Sequence, residues 1–164
     1  MKTALITLFS LVPVVAFAAG GPTALGPNNG TFGDWTAATY GSGDTQACYA
    51  FTTAKKPDPS AGKRSNVMLT VTERKGAHDE VTISFGMKYP KDAKVVLAVG
   101  KKNIDFYTQD DNAFTTHGTE AVTAFKGAAD AEAKTDLGHG KTVTDDFSLN
   151  GFSDAYGAIT KACS

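Results

Sequence analysis

The chain has 164 residues, with 16 Lys and Arg against 17 Asp and Glu and a net charge of −1. Only Arg64 and Arg74 are arginines, so the arginine-rich face that grips phosphates cannot be built, which argues against nucleic acid as a partner. The pairs Lys55-Lys56 and Lys101-Lys102 are too few to make a polybasic lipid anchor.

Lys2, the mostly apolar run Ala4 to Val15 and the small-x-small box Ala16-Phe17-Ala18 read as an export signal, residues 1–18, cut after Ala18. The run is too short for a membrane span, and no later stretch is long and apolar enough. Residues 19–31 are rich in Gly, Pro and Asn and read as a flexible mature N-terminus. One domain is expected over residues 32–164. Leu, Ile, Val and Phe make up only about 16% of the residues after Ala18. Low net charge and regular patterning still favour an ordered fold, with aromatics carrying much of the burial.

Phe32-Gly33-Asp34-Trp35 opens the domain, and the first strand runs to Tyr40. Thr45 to Ala54 reads as a second strand, with Ala47, Tyr49 and Phe51 on one side and Cys48 on the other. Lys55 to Ser65 is a solvated loop. Val67, Leu69 and Val71 alternate with Met68, Thr70 and Thr72, Val81, Ile83 and Phe85 alternate with Thr82 and Ser84, and the two runs form an antiparallel hairpin. Val95, Leu97 and Val99 mark the next strand, and Ile104 and Phe106 the one after it. A polar turn at Gln109 to Asn112 leads into a short return strand from Ala113 to Thr115.

The period then changes. Ala121, Val122, Phe125, Ala128 and Ala129 recur at helical spacing, with Thr119 as the expected N-cap. Ala131 to Leu137 and Thr142 to Leu149 flank Gly138-His139-Gly140 and read as a second hairpin. Asn150 caps a last helix, on which Phe152, Tyr156, Ile159 and Cys163 form one stripe. Eleven residues at about 100° each bring Cys163 to within about 20° of Phe152. The order predicts an α+β fold: an antiparallel β-rich domain, sandwich-like or a strongly curved sheet, with two helices, the last at the C-terminus.

Cys48 and Cys163 are the only cysteines. In an exported chain they are expected to pair as a structural disulfide tying the last helix to a strand. The alternatives are a free or reactive thiol, for which three histidines are available as partners, and a metal ligand, which lacks the local companions it needs. No other residues form a recognisable catalytic set. Gly138-His139-Gly140-Lys141-Thr142 lacks the leading glycine of a P-loop, since Thr135 stands there. Asp110-Asp111 and Asp145-Asp146 lack the spacing of a calcium loop. His78, His117 and His139 read as exposed loop residues, and no nucleophile elbow is present. A hydrolase would need one of these histidines within hydrogen-bond reach of a Ser, Cys or carboxylate. Trp35, Tyr40 and Tyr49 are the candidates for a binding surface, while Tyr107, Phe114 and Tyr156 suit either core or groove. No cofactor and no metal is expected.

Several segments resemble the invasion-associated locus B family of bacterial exported proteins. They are the opening Phe32-Gly33-Asp34-Trp35 with Cys48 a dozen residues on, the stretch Tyr107 to Phe114 around its acidic turn, and Asp146-Phe147-Ser148-Leu149-Asn150-Gly151-Phe152-Ser153-Asp154-Ala155 closing with Cys163. Many family members carry a cysteine just after the opening Trp, where this chain has Ala37, Ala38 and Thr39. The resemblance implies a periplasmic or secreted protein and supplies no catalytic residues. The expectation is a non-enzymatic exported protein that acts through its surface on an envelope or host partner. The alternatives are a small-molecule module with an aromatic groove near Trp35 and Tyr49, and a small hydrolase.

Overall fold

In the computed structural model, residues 21–163 are described; the export signal expected over residues 1–18 lies outside them. Alternating apolar and polar residues form eleven strands, all paired antiparallel in one continuous, strongly curved sheet that does not close. The first half contains β1 (Thr23–Ala24), β2 (Thr31–Phe32), β3 (Trp35–Tyr40), β4 (Ala47–Thr53), β5 (Met68–Arg74) and β6 (Ala77–Ser84). The second half is built on β7 (Lys94–Val99), β8 (Lys102–Gln109), β10 (Asp130–Asp136) and β11 (Thr142–Ser148). Strand β9 (Asn112–Phe114) joins them, because β8 pairs with β7 through Lys102 to Phe106 and with β9 through Tyr107 to Gln109.

Residues 21–31, expected as a flexible arm, lie along β3. Thr23 and Ala24 pair with Thr39 and Ala38, and the Leu25 amide donates to the Ala37 carbonyl at 2.9 Å. The one-turn segment α1 (Pro27–Gly30), through left-handed Asn28 and Asn29, loops the chain out between β1 and β2, which both pair antiparallel with β3. Gly30 is required there, because a Cβ would sit 2.3 Å from the Ala37 carbonyl oxygen.

The two expected helices are α2 (Gly118–Lys126) and α3 (Phe152–Cys163). Helix α2 ends earlier than its apolar period suggests, because the Gly127 amide turns back onto Ala124 and Phe125. Its N-cap position is His117 rather than Thr119. Thr119 instead donates its hydroxyl to Asp79 Oδ2 at 2.8 Å, because Gly118 abuts the Asp79 backbone and brings the helix start onto β6. Helix α3 packs on β3, β4 and β5 through Phe152, Ala155 and Ile159, all fully buried. The expected disulfide is present between Cys48 and Cys163, with Cα atoms 5.9 Å apart, and pins the end of α3 to β4.

The sheet curls until β11 faces the ends of β3 and β4. The Lys55 amide donates to Asp146 O at 2.8 Å, and Trp35 Nε1 donates to Ser148 O at 2.9 Å. The loop after β4 fills the remaining opening with a buried ion pair. Arg64 grips Asp145 through both terminal nitrogens, at 2.7 and 2.6 Å, and the two side chains are 1% and 2% exposed. The Asp58 amide donates to Asp145 Oδ1, and Asp58 Oδ2 accepts from the Thr144 amide, standing in for a missing neighbouring strand.

Candidate functional site

Helices α2 and α3 cover the concave side of the first half-sheet and leave its convex side open. Period-two alternation decides which residues stand there. Cys48, Ala50 and Thr52 of β4 point inward, so Tyr49 and Phe51 point outward. The register then lines up Phe51, Thr70, Thr82, Phe114 and Tyr107 across five strands. Beside that row stand Tyr49, Thr72 and Glu80.

The convex side of the second half is different. There Asp105 and Lys134 flank Val96, and Glu132 and Asp146 pair beyond Ala98. One continuous surface is therefore aromatic and hydroxyl-bearing at one end and charged at the other.

The aromatic end holds a shallow cleft of about 170 Å³. Tyr107, 57% exposed, and Phe114 form one wall, their ring centroids 5.7 Å apart in an offset stack. Thr72 and Thr82 lie between this wall and the ion pair Arg74 Nε–Glu80 Oε2, at 2.6 Å. Each partner of that pair remains about half exposed, with hydrogen-bonding capacity left for a ligand. Across the sheet, Tyr49 stacks on Phe51 with centroids 6.2 Å apart.

Of the three residues expected to form a binding surface, the structure brings two to one side of the sheet. Tyr49 is on the aromatic face, and Tyr40 stands at the end of β3 on the same side, 52% exposed. Trp35 is a correction. It is fully buried, edge-on to Phe152 at 4.9 Å, and lines no groove. It points inward with Ala37, while Ala38 and Tyr40 take the outward positions. Sequence reasoning left Tyr107 and Phe114 undecided and missed Thr72, Arg74, Thr82 and Glu80. The alternation of Tyr107 with the inward Phe106 was the available signal.

The histidines fall in different settings. His117 and His139 are exposed. His78, expected in a loop, lies on β6 with its side chain 61% exposed and Nδ1 2.7 Å from Glu73 Oε2. Glu73 is only 2% exposed and also accepts from the Asp79 amide at 3.0 Å. Asp79 in turn accepts from Tyr156 Oη at 2.7 Å and from Thr119. Burial, then the bond to Asp79, pushes the Tyr156 phenol up to about 12.

His78 thus has an orienting carboxylate, as a general base would need. The nearby sulfur of Cys163, which lines the same cleft as His78, is held in the disulfide. Among the described residues, no group of three His, Cys, Asp or Glu is arranged to hold a metal ion. The node's evident work is to join the β5–β6 hairpin to both α2 and α3.

Comparison with known proteins adds family and fold. The family model described as Invasion associated locus B (IalB) protein matches residues 35–160. The crystal structure of invasion associated protein B from Bartonella henselae is similar in fold, with a TM-score of 0.59. That match has 14% sequence identity and covers 80% of this chain and 95% of the other. Comparison with curated protein sequences gives no match.

Proposed function

Since the chain belongs to the invasion associated locus B family, we propose that it is an exported protein that acts by binding, not by catalysis, through the aromatic end of its convex sheet face. The observation that carries the binding half of this reading is the contrast along that face. At the aromatic end rings gather and the charges in the cleft are the mutually paired Arg74 and Glu80, whereas the β7–β11 half carries Asp105, Lys134, Glu132 and Asp146 in place of rings. Export is supported by the Cys48–Cys163 disulfide, which belongs to an oxidising compartment. Among the described residues, no helix is long and apolar enough to cross a membrane. The partner is an envelope or host component.

Two measurements test this. Fractionation should find the protein in the periplasm or medium, with an intact mass that starts at Ala19 and lacks two hydrogens relative to the reduced chain. A cytoplasmic, uncut, fully alkylatable protein would refute export. Crosslinking in the producing cells should depend on residues of the aromatic face. Equal crosslinking from positions on the charged half would refute the choice of surface.

A further inference from the structure

We propose that the cleft beside Tyr107 and Phe114 binds an uncharged sugar chain. This rests on the surface-binding reading above and names its partner. A sugar ring presents an apolar C–H face and a rim of hydroxyls. It is held by an aromatic ring against the face and by planar polar groups at the rim. The cleft provides both. Tyr107 offers an exposed ring, fixed in place by its stack on Phe114. Opposite it, Arg74 supplies guanidinium donors and Glu80 a carboxylate acceptor. Thr72 and Thr82 bring hydroxyls between them.

Charge selects the class of chain. Arg74 and Glu80 neutralise each other at 2.6 Å, and the row from Phe51 to Tyr107 carries no charge. Among the described residues that line the cleft, no free cation is left to attract a phosphorylated or acidic polymer. Size selects against a protein. Five strands at ~4.8 Å spacing and about four residues along each give a face on the order of 300 Å². A stable protein partner needs roughly 800 Å² on each side. A slender ligand lying along the row suits the area. The second ring pair, Tyr49 and Phe51, stands at the other end of the row and offers a further stacking point.

The test is native-gel affinity electrophoresis of the purified, oxidised protein in gels containing a soluble β-glucan, dextran or galactomannan. At least one polysaccharide should retard the protein. Tyr107→Ala should weaken that retardation about tenfold, and Glu80→Gln should weaken it too. Lys134→Ala, on the charged half, should leave it unchanged. Both cleft residues are exposed, and melting curves of the variants would register any folding defect.

Gels blank for all three polysaccharides overturn the proposal, as does retardation indifferent to Tyr107→Ala. A photocrosslinker at position 107 separates the two levels of the argument. Blank gels with a protein captured at that position overturn the sugar assignment but leave the surface reading standing. Blank gels with capture only from the charged half overturn both.

Discussion

Replacing Arg64 with Met should destabilise the protein far more than removing any surface ion pair. Arg64 and Asp145 are almost fully buried and doubly bonded, and Arg64 also lies over the Phe85 ring at 4.5 Å. Arg64→Met leaves the Asp145 carboxylate in the interior with one remaining donor, the Asp58 amide at 3.1 Å. An uncompensated buried charge costs about 3–5 kcal/mol, a large part of the roughly 5–15 kcal/mol that holds a domain together. For a chain of this size, that is a fall in Tm on the order of 10 °C.

The double variant Arg64→Met, Asp145→Leu removes both charges and should recover most of the loss. A residual deficit of about 1 kcal/mol is expected from the Asp58 amide left without its acceptor. Urea unfolding of the oxidised protein, followed by fluorescence of the buried Trp35, measures all four corners of the cycle. A single-variant cost below about 1 kcal/mol, or a double variant that loses the sum of the two singles, would refute the assignment of this pair as the plug of the open sheet.

Three further outcomes follow from the same structure. The disulfide closes a loop between residues 115 apart, which the chain-entropy relation converts to about 5 kcal/mol; reductant should lower the urea midpoint markedly, and equal stability of both forms would refute the staple. Gly118→Ala places a Cβ 1.8 Å from the Asp79 carbonyl oxygen, whereas Gly157, inside α3, has nothing within 4 Å; thermal melts should show the first destabilising by about 2 kcal/mol and Gly157→Ala stabilising by roughly 0.5–1 kcal/mol. The Tyr156 phenol is raised from 10.0 to about 12, first by burial and then by its bond to Asp79, so the unfolded chain releases this proton first and stability falls as pH rises from 10 towards 12; Tyr156→Phe should make that fall shallower, and an unchanged alkaline profile would contradict the raised phenol.

The core strands and the last helix were legible because each is written in local period. The alternations from Val67 to Phe85 and from Val95 to Phe106 gave the hairpins, and the stripe Phe152, Tyr156, Ile159, Cys163 gave the seat of α3 and its tie to Cys48. The start of α2 was misread because Thr119 has the chemistry of a cap. Its partner is Asp79, forty residues earlier in the chain. Glu73 shows the same limit. It falls in phase with the inward Leu69 and Val71, and only the fold brings His78 Nδ1 and the Asp79 amide to its carboxylate.

By itself, the sequence determined two sets of side chains on each strand, the hairpin partners, and the pairing of the only two cysteines, because these follow from a period of two, a period of 3.6 and the chemistry of an exported thiol pair. The tertiary structure alone decided which side of the first half-sheet the helices would cover. That choice buried Trp35 and put Tyr49, Phe51, Phe114 and Tyr107 on one outward face, Tyr107 exposed and the other three partly buried. It also decided how far the sheet curls, and so that Arg64 would meet Asp145. Curvature and register accumulate over many strands, and no local stretch of chain encodes where their sum brings two distant residues together.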